Sequence, residues 1–213
     1  MTRILADARR WQREGTALLL ASVAQLDEND LDAPSALPGW TRRLVIAHVA
    51  ANADALLNLV RWAATGVETP MYASPQARIQ GIEYGAGLPS QELVAWLHRS
   101  AVMLDDEMAV LTPDQWRAPV ITAQGRTVPA TETPWLRDRE IFVHAVDLDN
   151  GVCFTDLPED FLTALREDIE AKRGNVPRVT SSLADVTAWL AGRPHGPACL
   201  EDGAAAPELG AWL

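Results

Sequence analysis

"TETPWLRDREIFVHAVDL" (131–148) is the stretch whose periodicity decides the architecture. At 3.6 residues per turn, Thr133, Arg137, Glu140, His144 and Asp147 share one stripe. Trp135, Leu136, Phe142, Val143 and Val146 fall on the other side. Pro134 suits a first helical turn, with Thr131 or Thr133 as the expected cap. A helix with so apolar a side packs against other elements, which leaves two fates for its polar stripe. It is either solvated, with Glu140 and His144 a surface pair one turn apart, or it faces inward and carries chemistry.

Working outward, three more segments repeat the helical period. Residues 4–26 place Leu5, Ala8, Trp11, Leu18, Leu19 and Val23 near one stripe. A second helix runs from a Thr41 cap to about Ala64, with Gly66 as its stop. A third spans 90–111, with Ser90 as the expected cap. Residues 67–89 read as a long irregular connection with one short helix near Pro75–Glu83, and 112–130 as a polar, Pro-containing connection. Four helices with long connections predict a four-helix bundle over residues 1–150. The rest, 151–213, changes character. Helices are expected at Pro158–Lys172 and 181–193, and short strands at Pro177–Thr180 and Ala198–Leu200. The fold class is therefore mainly α, a bundle followed by a small α+β domain.

The composition narrows the function. The 213 residues carry a formal net charge of −11, which argues against nucleic-acid and anionic-membrane surfaces. No apolar run approaches the roughly 18–20 residues of a membrane span. The charged start "MTRILADARRWQREG" has no signal-peptide core. Two cysteines, Cys153 and Cys199, make neither a disulfide framework nor a zinc-binding pair. A cytoplasmic protein acting on a small molecule is expected, as a monomer or weak homo-oligomer.

His48 favours the inward alternative for the polar stripe. It sits in "LVIAHVAANA", on a stripe with Leu44, Ala47, Ala51 and Ala55. A buried neutral imidazole satisfied by a hydrogen bond is the plain explanation. Yet facing helices are also where bundles build metal sites. His48, Glu140 and His144 together are the ligand set of a catalytic zinc site with an open fourth position. They are equally the composition of the facial triad of non-haem iron. His98 and His195 have no partner at ligand spacing.

The stretches "LPGWTRRLVIAHVAANADAL", "TGVETPMYASPQAR" and "TAQGRTVPATETPWLRDREIFVHAVDL" resemble the DinB-like metal-dependent thiol enzymes. More closely, they resemble the mycothiol-dependent maleylpyruvate isomerases. The resemblance implies metal ligation by His48, Glu140 and His144. It also implies a smaller αβ domain that contributes an arginine, best matched by Arg193 in "AWLAGRPHG". It implies mycothiol as the thiol cofactor, with maleylpyruvate as a substrate of aromatic (gentisate) degradation.

That reaction rotates a cis double bond conjugated to a carbonyl. Reversible addition of a thiolate makes the bond single, and rotation and elimination then give fumarylpyruvate. Neither cysteine has an evident activating partner in sequence, so the thiol is expected from outside. A divalent metal, zinc first, would deprotonate it. Negative charge on the substrate calls for cations and donors. Arg193 is the first candidate; Arg78, Arg126 and Gln124 are further substrate-binding candidates, and Arg137 another cation. Three other activities use the same features: a mycothiol S-transferase acting on another electrophile, a non-enzymatic metal-stabilised binding module, and a non-haem iron oxygenase.

Overall fold

The computed structural model describes residues 3–200 and 202–212. The chain divides into two compact units, Ile4–Asn150 and Gly151–Leu213. In the first, α1 (Leu5–Val23), α3 (Arg42–Thr65), α5 (Ser90–Ala109) and α7 (Thr133–Asp147) are the long helices of a four-helix bundle. Their principal packings are α1 on α7, α3 on α5 and α3 on α7. Between them lie α2 (Glu28–Asp32), α4 (Pro75–Ala86), which packs on α3, and α6 (Pro113–Arg117). An antiparallel hairpin, β1 (Pro119–Ile121) with β2 (Thr127–Pro129), leads through a 3-10 turn at Ala130–Glu132 into α7.

The helix ends follow local chemistry. The Thr41 hydroxyl accepts from the Leu44 amide at the start of α3. Gly66 ends that helix at φ 74°, a left-handed conformation that costs glycine little. Ser74, not anticipated as a cap, accepts from the Ala77 amide and starts α4, with Pro75 in its first turn. Two caps fall elsewhere than expected. Ser90 is inside α5, and its hydroxyl donates to Glu28 Oε1 rather than capping. Thr133 opens α7 without a side-chain cap, because the preceding 3-10 turn already delivers the chain into the helix.

The core runs along α3, where Val45, Ile46, Ala47, Val49, Ala50, Ala53, Leu56 and Leu59 are all buried. This helix is apolar enough to cross a bilayer by composition, but 78% of its most apolar window is buried inside the protein. Hydrophobic burial against α5, α7 and α4 accounts for that composition. α7 is covered on both faces, by α1 and by α3. Its polar stripe is not solvated: Thr133, Arg137, His144 and Asp147 are each no more than 3% exposed.

The second unit is small and of α+β type. It contains α8 (Glu159–Arg173), α9 (Leu183–Leu190) and a two-stranded antiparallel pairing of β3 (Val179–Thr180) with β4 (Cys199–Leu200). Phe161, Leu165, Ile169, Trp189 and Leu190 form its interior.

Candidate metal centre

α3 and α7 carry the three residues that the i, i+4 spacing and the small-residue stripe single out. His48 Nε2 lies 2.9 Å from Glu140 Oε2, and His144 Nε2 lies 3.2 Å from the same oxygen. The two imidazole rings meet edge to face, with centroids 4.9 Å apart. One ligand atom from each of the three residues falls within 4.8 Å of the others. Two imidazole nitrogens and a carboxylate oxygen converging in this way can hold one divalent cation. Among the described residues, this is the group of histidine, cysteine and acidic side chains that meets that test.

The surroundings set the state of each of the three side chains. His144 Nδ1 is 2.8 Å from Asp147 Oδ2, one turn further along α7. With the Nδ1 hydrogen donated to Asp147, the Nε2 lone pair is left for a metal. The T-shaped contact of Trp40 with His48, at 5.8 Å between centroids, fixes the second ring.

Burial pushes the His48 imidazole down, and hydrogen bonding and attraction from Glu140 only partly offset this, so His48 is neutral at neutral pH. Burial also works against a charged His144. There the hydrogen bonds of Asp147 and Glu140 win and raise it to about 9. Burial would raise the Glu140 carboxyl as well, but the hydrogen bonds from His144 and His48 hold it well below the usual carboxylate range. The resting trio is thus a carboxylate between one neutral and one protonated imidazole. A cation held there would take the place of the His144 Nε2 proton.

Arg137, one turn before Glu140, is spent on the frame. Its Nη1 donates to the Val49 carbonyl at 2.7 Å and to Asn52 Oδ1 at 3.0 Å. This ties α7 to α3 within a turn of both His48 and Glu140. Burial lowers Arg137 to about 10, against the fields of Glu140, Asp138, Asp54 and Tyr72, and it stays charged at neutral pH.

Arg78, on α4, brings its Nη2 to 3.5 Å from His48 Nδ1. It also lines a cleft of about 540 Å³, together with Tyr72, Thr122 and Gln124. The cleft therefore adjoins the trio through Arg78. Gln124 is exposed on the β1–β2 hairpin at the rim. Arg126 is exposed on the same hairpin and is not among the residues lining the cleft. In the second unit, Arg193 is buried and its Nη1 donates to the Ala191 carbonyl at 2.8 Å. His98 is exposed, and exposed His195 holds its Nδ1 against the Gly196 carbonyl. Sequence reasoning overlooked Tyr72, Trp40 and Asn52 and left Asp147 without a role. Only Asp147 carried a signal, its place on the polar stripe of α7.

Residues 12–149 match the family of the mycothiol maleylpyruvate isomerase N-terminal domain. A crystal structure of the mycothiol-dependent maleylpyruvate isomerase superposes with a TM-score of 0.92, at 36% identity over 100% of both chains. The chain belongs to the mycothiol maleylpyruvate isomerase family. A structure of that enzyme with a histidine replaced by alanine matches equally, with a TM-score of 0.92 and 35% identity over the whole of both chains. YfiT from Bacillus subtilis, which has an unusual four-helix bundle topology, shares 19% identity and a TM-score of 0.53. That match covers 68% of this chain and 85% of YfiT, and it carries the bundle fold alone. No curated protein matches the sequence. The DinB-like four-helix bundle with a small α+β addition is thus the fold of this family member.

Proposed function

We propose that the protein isomerises maleylpyruvate to fumarylpyruvate, with mycothiol as its thiol cofactor and one divalent metal, zinc, held by His48, Glu140 and His144. The observation that carries this reading is the convergence of those three ligand atoms within 4.8 Å. It occurs in a chain 36% identical, end to end, to a mycothiol-dependent maleylpyruvate isomerase. The donor set fits the metal: two imidazoles and one carboxylate leave an open position, and His144 is already turned by Asp147 to present Nε2. A cation held there would supply a Lewis acid that lets a bound thiol ionise at neutral pH.

The chain's own groups do the rest. Glu140 offsets part of the metal's charge. Arg137 fixes the spacing of α3 and α7, so the ligands are positioned before anything binds. Arg78 and Gln124 line the cleft beside the trio and are the proposed partners of the substrate's carboxylates. Arg193 remains a proposed cation supported by the family resemblance alone.

The test is elemental analysis of the purified protein, followed by assay of maleylpyruvate with and without mycothiol. One equivalent of zinc and mycothiol-dependent formation of fumarylpyruvate, with the thiol recovered unchanged, are expected. Stoichiometric loss of the thiol would instead make the protein an S-transferase. His48→Ala should lose most of the metal and nearly all activity. Full metal occupancy in that variant would remove His48 from the ligand set.

A further inference from the structure

Tyr72 has no role in the reading above, although it lies in the same cleft as Arg78. It belongs to the connection between α3 and α4, and this connection is anchored on two sides. Asn58 Nδ2, on α3, donates to the carbonyls of Pro70 and Met71. The Ala123 amide, on the hairpin, donates to Met71 Sδ. Ser74 then caps α4 two residues after the tyrosine. Tyr72 is therefore held from both ends, not carried on a free loop.

Tyr72 has a charged neighbour in the cleft. Arg78 lines the same cleft, where its positive charge favours the ionised phenol, and its Nη2 reaches to 3.5 Å from His48 Nδ1. A guanidinium has only donors, so Arg78 does not take the phenol's hydrogen. The phenol's own hydrogen is then left for an acceptor in the cleft. Burial raises the phenol above its ordinary value, and the pull of Arg78 does not overcome it. The group stays protonated at neutral pH and remains a donor.

We propose that Tyr72 is a further catalytic residue, whose hydroxyl donates a hydrogen bond to the substrate's carbonyl oxygen as that oxygen gains negative charge. The proposal rests on the isomerase reading. As the sulfur of mycothiol bonds to one carbon of the cis double bond, the π pair moves onto the conjugated carbonyl oxygen. The phenolic hydrogen stays on Tyr72 and is shared with that oxygen. When the carbon–sulfur bond breaks after rotation, the pair returns and the hydrogen bond relaxes. No net proton or electron is transferred. A donor that strengthens only as the charge develops acts on turnover more than on binding.

The test is Tyr72→Phe, which keeps the ring and its packing and removes the hydroxyl. In the zinc-loaded protein with mycothiol, kcat should fall by about 10²-fold with KM within a few-fold, as for loss of one preorganised donor. Metal content and melting temperature should match the parent. A second readout needs no turnover: calorimetric titration with acetylpyruvate, which has the enolisable dioxo-acid group without the cis double bond. The Phe variant should bind it about 10-fold more weakly, as for one lost charge-assisted hydrogen bond. Parental kcat in the variant overturns the assignment. So does a loss of activity that travels with loss of metal or of thermal stability. So does equal, or absent, acetylpyruvate binding in both proteins. Failure of the parent to isomerise maleylpyruvate sinks the isomerase reading instead, and the acetylpyruvate comparison still tells whether Tyr72 faces a ligand.

Discussion

Asp147 is fully buried, yet it carries a carboxylate whose Oδ2 lies 2.8 Å from His144 Nδ1. A buried charge is retained only where it is paired, and here the pairing fixes the tautomer and ring angle of His144. Asp147→Asn should keep the shape and weaken metal affinity by about 10-fold, and Asp147→Ala by up to about 100-fold, in competition with a chromophoric chelator. Unchanged affinity in both variants would mean that packing alone orients His144. The three converging residues of the candidate metal centre were legible in the sequence. Glu140 and His144 stand one turn apart, and His48 interrupts a stripe of alanines. Arg137 was legible as part of a stripe but not in its role, because its acceptor, the Val49 carbonyl, lies 88 positions away in the chain. Tyr72 had no signal at all: a single aromatic in an irregular stretch belongs to no period.

Long helices announce themselves by repetition; short elements are held by caps and neighbours, which repetition does not reveal. α2 and α6 have five residues each. Each carries a capping box, Asp27 with Asp30 and Thr112 with Gln115, inside a segment whose prolines read as loop. α6 is further fixed by Gln115 Nε2 donating to the Ala64 carbonyl at the end of α3. α4, which brings Arg78 to His48, depends on a close approach to α3. A Cβ built on its Gly85 would overlap the Trp96 ring and stand 3.1 Å from the Ala47 Cβ, next to His48. On the same helix, a Cβ at Gly81 would meet nothing within 4 Å. Replacing an exposed helical glycine by alanine gains up to about 1 kcal/mol, whereas overpacking a tight contact costs about 1–3 kcal/mol. Gly81→Ala should therefore raise the midpoint of urea unfolding, and Gly85→Ala should lower it and raise KM. If both substitutions stabilise, close packing is not what holds glycine at position 85.

Across the whole molecule, the proposed chemistry asks for a thiol and the chain holds two, Cys153 and Cys199, both free and both in the second unit. A reactive thiol in a protein sits beside a cation, a histidine or a metal that stabilises its thiolate. Cys153 is exposed, and its Sγ points at the Gly151 carbonyl, 3.8 Å away. Cys199 is half-buried in β4, opposite Thr180. Among the described residues, neither has a basic partner. The bundle, by contrast, gathers two imidazoles, a carboxylate and a cleft with cationic lining, but no sulfur of its own except methionine. This separation of roles predicts that the nucleophile arrives from solution. The double variant Cys153→Ser, Cys199→Ser should fold with stability within about 1 kcal/mol of the parent, the usual scale for changes that open no large cavity. It should keep its metal and turn over maleylpyruvate within a few-fold of the parental rate. Turnover in parent and variant alike should vanish without mycothiol. An inactive double variant with its metal and unfolding midpoint intact would place the nucleophile in the chain, and single Ser variants would then say which cysteine it is.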